Sequence, residues 1–147
     1  MSWIIRPARI EDLGDLLGLT YQLSKKTKED EQITKDTFER SLTAILEDKT
    51  NLLVVYESEN KVVGTATLLL QLNLSHGARP YGHIENVVTD SAYRGKGVGK
   101  ALITYLLDEA RKRNCYKVIL DCSKANIPFY EKCGLAPTGE VEMRINL

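Results

Sequence analysis

Residues 94–100 read Arg-Gly-Lys-Gly-Val-Gly-Lys, with glycine at every second position. Gly95, Gly97 and Gly99 let the backbone come close to a ligand. An apolar helical pattern starts immediately afterwards, so the free amides of a helix's first turn point at whatever sits there. Such an end carries partial positive charge and favours phosphate, and Arg94, Lys96 and Lys100 add charge around the rim. The chemistry on offer is anion binding, against the alternative of a bare structural turn. A triphosphate loop would need Gly-x-x-x-x-Gly-Lys-Ser/Thr; here Gly99-Lys100 is followed by Ala101, and position 94 is Arg. The dinucleotide pattern Gly-x-Gly-x-x-Gly fails because Lys100 stands where the third glycine belongs.

Four other residues could act on a bound ligand. Tyr130 combines an apolar body with a polar tip and either packs on Phe129 or donates a proton. Asp121 ends an apolar run, where it either caps a turn or belongs to a site. Glu85 sits among apolar strand residues and needs a partner if buried. His76 lies in the polar segment 73–82, solvated or at a substrate. Neither His76 nor His83 is spaced with a cysteine as metal ligands are, so no metal is expected.

The elements that must position these groups follow from periodicity. Residues 3–8 read as a strand closed by Pro7, and 11–24 as a helix with Leu13, Leu16, Leu17 and Tyr21 on one face. The charged run 25–31 reads as a solvated linker. Thr34 caps a second helix with Phe38, Leu42, Ile45 and Leu46 inward. Residues 52–57 and 62–72 form a hairpin about the turn 58–61. The segment 73–82 is a loop able to close over a substrate, and 83–89 is a strand. After the glycine turn, Val98, Ala101, Leu102, Tyr105, Leu106 and Ala110 trace an amphipathic helix. A strand over 116–121, a short helix over 126–133 stopped by Gly134, and a last strand over 141–147 complete the chain. The order β-α-α-β-β-β-α-β-α-β predicts α/β-type (α+β) layering around a mixed sheet, with residues 1–147 as one domain.

Composition narrows the classes. Lys plus Arg and Asp plus Glu both number 20, which argues against a general nucleic-acid binder. No apolar stretch nears the ~18 residues of a membrane helix. Met1-Ser2-Trp3-Ile4-Ile5-Arg6-Pro7 lacks the pattern of a secretory signal. Cys115, Cys122 and Cys133 read as reduced, mostly buried thiols. A cytoplasmic protein is expected; the ending Arg144-Ile145-Asn146-Leu147 is a poor relative of the Ser-Lys-Leu peroxisomal signal, which keeps a peroxisome-like organelle as the alternative.

The signature Arg/Gln-x-x-Gly-x-Gly/Ala, carried by Arg94, Gly97 and Gly99, resembles the pyrophosphate loop of the GNAT acetyltransferase family. The tyrosine-bearing element Asn126-Ile127-Pro128-Phe129-Tyr130-Glu131-Lys132-Cys133-Gly134 is similar to that family's downstream helix. The blocks Gly82-His83-Ile84-Glu85, Cys115-Tyr116-Lys117-Val118-Ile119-Leu120-Asp121-Cys122 and Val141-Glu142-Met143 resemble the branch that acetylates glucosamine 6-phosphate, a step towards UDP-N-acetylglucosamine. The resemblance implies the GNAT fold, a mixed central sheet with helices on both faces. It also implies acetyl-CoA as cosubstrate, a small amino-sugar phosphate as acceptor, and a homodimer.

It assigns residues as well. Val87, Val88 and Thr89 would pair with the pantetheine arm; Arg94, Gly95, Lys96, Gly97, Val98, Gly99 and Lys100 would hold the pyrophosphate, with Lys132 and Tyr130 near the cofactor. Tyr130 would assist thiolate departure, and Asp121 and Glu85 would flank the amine. Ser24, His76, Asn86, Tyr116, Lys117 and Arg144 would bind the sugar phosphate, Tyr116 and Lys117 across the dimer interface. Asn86 stands where the branch has aspartate, and Asn146 where it has a phosphate-binding arginine; Arg144, two residues earlier on the same strand face, would serve instead. The implied mechanism is direct amine attack with a backbone N–H of 85–88 polarising the carbonyl. Cys122 and Cys133 are the only nearby nucleophiles for an acetyl-enzyme, with no paired histidine. The alternatives are the same fold acting on another amine (peptide, lysine or small molecule), and a non-catalytic CoA-binding module.

Overall fold

The computed structural model describes residues 2–147. Five strands form one sheet in chain order: β1 (Trp3–Pro7), β2 (Asn51–Ser58), β3 (Lys61–Gln71), β4 (Tyr81–Thr89) and β5 (Lys117–Ile119). The first four are antiparallel and β5 runs parallel to β4, so the sheet is mixed. The helices are α1 (Leu13–Leu23), α2 (Lys28–Gln32), α3 (Lys35–Glu47), α4 (Val98–Lys112) and α5 (Ile127–Lys132).

Side chains alternate across a strand, and the two faces of this sheet bury different helices. Val54, Tyr56, Val63, Ala66, Leu68 and Ile84 meet Val98, Leu102, Ile103, Leu106 and Ala110 of α4. Val55, Val62 and Val88 meet Leu16 and Leu19 of α1 and Leu42 of α3. α4 comes unusually close to β3 at Gly64, where an added Cβ would stand 2.7 Å from Val98 Cγ1. That packing fixes where the N-terminus of α4 sits against β4.

The entry of the chain onto the sheet is fixed by charge. Arg6 of β1 donates from Nη1 and Nη2 to the two Asp12 oxygens (2.8 and 2.9 Å) and from Nε to Glu57 (2.8 Å). Asp12 also accepts from the Arg9 amide at 2.8 Å. Burial alone pushes the Asp12 carboxyl up, but its hydrogen bonds to Arg6 and Arg9 and their charges outweigh this, and the carboxyl titrates below its ordinary 3.8. A depressed folded value contributes stability above the unfolded value that is lost as pH falls through the folded one. Asp12→Asn should therefore cost about 1–3 kcal/mol at neutral pH. Urea titrations of the two proteins should converge only well below pH 3.8, once the depressed Asp12 carboxyl is itself protonated in the folded protein.

Three sequence expectations need correction. Residues 25–31 are not all linker, because Thr27 and Asp30 form a reciprocal cap that starts α2. The Asp30 amide donates to Thr27 Oγ1 (3.2 Å), and the Thr27 amide donates to the Asp30 carboxylate (2.7 Å). The strand expected over 116–121 is only Lys117–Ile119, the stretch that β4 reaches. No strand forms over 141–147. That segment alternates as a strand should, yet neither edge of the sheet pairs with it, and Val141, Met143, Ile145 and Leu147 are exposed. No helix is long and apolar enough to cross a membrane among the described residues.

Candidate active site

The sheet splits between β4 and its edge strand β5. β4 pairs with β5 only from Tyr81↔Lys117 to His83↔Ile119. Beyond His83 the two strands part, leaving the β5-facing edge of β4 unpaired over 84–89. The other edge is interrupted as well: pairing with β3 steps from Thr65↔Val88 to Thr67↔Glu85, a bulge that contains Asn86 and Val87. A bulge leaves its extra residue out of the ladder. Asn86 occupies it at φ 53°, a left-handed conformation that asparagine tolerates better than most side chains. The residue that departs from the expected aspartate is therefore one the backbone accommodates. Glu85 and Asn86 are both exposed at the split.

The glycine turn stands at the end of this edge. Asp90 accepts from the Ala92 amide at 2.9 Å, and Arg94 Nε donates to the Thr89 carbonyl at 3.3 Å, which folds the turn back on β4. Gly95 and Gly97 adopt φ of 75° and 83°, and nothing lies within 4 Å of where their Cβ atoms would be. Gly97 is the N-cap of the 15-residue α4 and supplies no side-chain hydrogen bond to it. The Ala101 amide bonds the Gly97 carbonyl, and the amides of Val98, Gly99 and Lys100 before it begin the helix with no side-chain cap. A left-handed open cradle, uncapped amides and the flanking Arg94 and Lys100 fit a pyrophosphate.

A groove of about 640 Å³ runs along Val87, Val88 and Thr89 to this turn and ends at Tyr130. A larger groove of about 810 Å³, on the other side of Tyr130, includes Asp121, Tyr116 and Lys117. Tyr130 thus stands where the two meet. Its ring packs edge-on against Phe129 at 4.9 Å, and Phe129 in turn lies 3.1 Å from the place a Gly99 Cβ would take. Burial, then the neighbouring Cys122 and Cys133, push the Tyr130 phenol above its ordinary 10.0, so it stays protonated. Burial also raises the Cys115 and Cys133 thiols, which weakens them as nucleophiles. Cys122 is exposed, not buried as expected.

Tyr116 and Lys117 of the larger groove also meet His76 and Tyr81, at the start of β4. Four residue steps along the strand lead from Tyr81 to Glu85, on the order of 13 Å. The expected site residues therefore form two groups within one chain. Ser24 caps the C-terminal end of α1, next to Gln22 and Leu23, which line the smaller groove. Lys96 lies 5.2 Å over the Tyr93 ring. Lys132 is exposed on α5 and lines neither groove. Arg144 is in the strandless tail, its Nε donating to Glu142 at 2.6 Å; the strand face that was to aim it at phosphate does not form. Sequence reasoning missed Tyr93, Phe129 and Gln22 as groove residues. The Ser91 amide donates to Gln22 Oε1 at 2.9 Å across 69 residues of sequence, a contact no local pattern signals. Among the described residues no cluster of His, Cys, Asp or Glu is placed to hold a metal.

A sheet split beside a bulged strand, with a glycine cradle at its end, puts an open strand edge and an anion site side by side. Residues 11–135 match the profile of the acetyltransferase (GNAT) family, and the chain belongs to that family, which uses acetyl-CoA. The glucosamine 6-phosphate N-acetyltransferase of Trypanosoma brucei brucei is 47% identical over 92 residues, 63% of this chain and 62% of that protein. The Schizosaccharomyces pombe enzyme of the same name is 44% identical over 63% of this chain and 84% of its own. The crystal structure of glucosamine-6-phosphate N-acetyltransferase from Arabidopsis thaliana superposes with a TM-score of 0.89 at 33% identity, covering 99% of both chains. The expected mixed sheet with helices on both faces is the fold found.

Proposed function

We propose that this chain transfers the acetyl group of acetyl-CoA to the amine of glucosamine 6-phosphate, by direct attack and as a homodimer. The position of Tyr130 between the two grooves carries the reading, because it puts one proton donor where a cofactor arm and an acceptor would meet. Acetyl-CoA supplies an activated thioester. The cradle of Gly95 and Gly97 and the open edge of Val87–Thr89 hold the cofactor and orient it. An amide of the 85–88 bulge, free of the ladder, is the oxyanion donor. The Tyr130 hydroxyl holds a proton for the departing sulfur. Glu85 and Asp121 flank the amine and the sugar hydroxyls; the amine gives up its ammonium proton to one of these carboxylates or to water, and attacks as the neutral base. Three glucosamine 6-phosphate N-acetyltransferases among the relatives match this chain at 47%, 44% and 36% identity, which supports the acceptor.

Two observations support the dimer. The tail 141–147 presents exposed apolar residues at every second position, and the outer edge of β5 has no partner. Unpaired edges and alternating apolar segments are complementary. A second copy would satisfy both and bring its Tyr116 and Lys117 to the sugar phosphate. Light scattering should give twice the chain mass, and deletion of residues 141–147 should give a monomer. A monomeric full chain would remove this part of the reading.

The acceptor is tested by competition. Acetyl-CoA labelled in its acetyl methyl is offered glucosamine 6-phosphate, an aminoglycoside and a lysine peptide at equal concentration, with products resolved by NMR. Label on the sugar-phosphate amide is expected; label on the peptide or the antibiotic would replace the acceptor.

A further inference from the structure

The loop between β3 and β4 has an uncommon backbone. His76, Gly77 and Ala78 carry φ of 51°, 70° and 60° in succession. Left-handed backbone costs an L-residue roughly 1–2 kcal/mol, and only Gly77 is exempt. Such conformations persist where the surroundings over-determine them. Two side chains do so here. Asn73 Oδ1 accepts from the Ser75 amide (2.9 Å) and hydroxyl (2.7 Å), while its Nδ2 donates to the Arg79 carbonyl (2.5 Å). Arg79 ties the loop outward: Nε donates to the Asn114 carbonyl (3.1 Å), and Nη2 to the Cys115 carbonyl (2.8 Å).

The strain is accompanied by a specific contact. The His76 imidazole lies flat on Tyr116, with centroids 3.7 Å apart and planes at 10°. The Arg79 guanidinium stands 5.6 Å over the same ring, and the Tyr116 amide donates to the Pro80 carbonyl at 2.8 Å. Lys117 Nζ sits 4.5 Å over Tyr81, whose hydroxyl pairs with Ser75 Oγ at 2.8 Å. The loop expected to close over a substrate is instead tied to the turn between α4 and β5. Arg79 bonds the two carbonyls immediately before Tyr116, so it fixes both halves of the stack at once.

We infer that Arg79 is a positioning residue for the acceptor's phosphate: it holds His76 against Tyr116 and thereby sets the Tyr116–Lys117 pair for that phosphate. The inference rests on the reading above that this pair meets the sugar phosphate. Lysine cannot replace the fork, because it offers a single point charge in place of two donors at fixed spacing.

The chain has two histidines, so His76 can be followed by NMR. Stacked on Tyr116, its ring protons should resonate upfield of a solvated imidazole. In Arg79→Ala and in Arg79→Lys they should move to solvated values. Titration with glucosamine 6-phosphate should then give a dissociation constant about tenfold weaker, the order expected from one or two lost hydrogen bonds. The acetyl-CoA dissociation constant should stay within twofold, which also shows that the variants fold. Unmoved His76 signals, full rescue by Lys, or sugar-phosphate affinity unchanged after the stack is lost would each overturn the inference. A wild type that binds the sugar phosphate in this way but transfers no acetyl would sink the proposed function and leave Arg79 its role. Wild-type turnover with an unchanged KM in Arg79→Ala would do the reverse.

Discussion

Tyr130→Phe should lower kcat by about two orders of magnitude, the usual contribution of a positioned acid, and leave the KM for acetyl-CoA within about twofold. The substitution removes one hydroxyl. The ring keeps its edge-on contact with Phe129 and its place in both grooves, so folding and cofactor binding lose little. Burial and the neighbouring Cys122 and Cys133 keep the phenol protonated above its ordinary 10.0. Sign follows from that direction: a raised phenol is still an acid at any pH where the protein is ordinarily assayed. The alkaline limb of kcat in the wild type should lie above pH 10, and Tyr130→Phe should lack it. Unchanged turnover would remove Tyr130 from proton transfer.

Gly97→Val should raise the KM for acetyl-CoA at least tenfold. Gly97 has φ 83°, which costs an L-residue roughly 1–2 kcal/mol, about five- to thirtyfold if the turn must be restored for each binding event. The place its Cβ would take is open, with no protein atom within 4 Å. The valine side chain would enter the space in front of the α4 amides, where the pyrophosphate is to sit. Saturating turnover should change far less than KM, since Tyr130 and the β4 bulge are untouched. Calorimetric titration with acetyl-CoA checks the loss directly. Binding that is indifferent to this substitution would mean the cradle is only a turn.

Much of this was legible in the residues because it rests on local chemistry. The apolar runs of β2 and β3 about their turn, the apolar stripe of α4 and the glycine run are each short local patterns, and the structure places them as read. Thr34 caps α3 as its type predicts, accepting from the Thr37 amide at 3.3 Å. Thr27 was equally legible: its Asp30 lies three residues on, the spacing of a reciprocal cap, but the surrounding charges hid it. Other features were not local. The β4 bulge at Asn86 exists only relative to β3, and the split of the sheet only relative to β5. The tail 141–147 shows the limit most clearly. Its alternation is that of a strand, but a strand also needs an edge to pair with, and neither open edge of this sheet takes it up. Arg79 was invisible for the same reason, its partners at Asn114 and Cys115 lying 35 and 36 residues away.

The most direct measurement is release of free CoA thiol by the purified protein, given acetyl-CoA with glucosamine 6-phosphate or with unphosphorylated glucosamine. Rapid release with the sugar phosphate, and at least a hundredfold lower kcat/KM without the phosphate, is predicted from the loss of a charge-assisted contact. Equal rates with both sugars would contradict the phosphate site. No release with either, while acetyl-CoA still binds, would contradict the acceptor altogether.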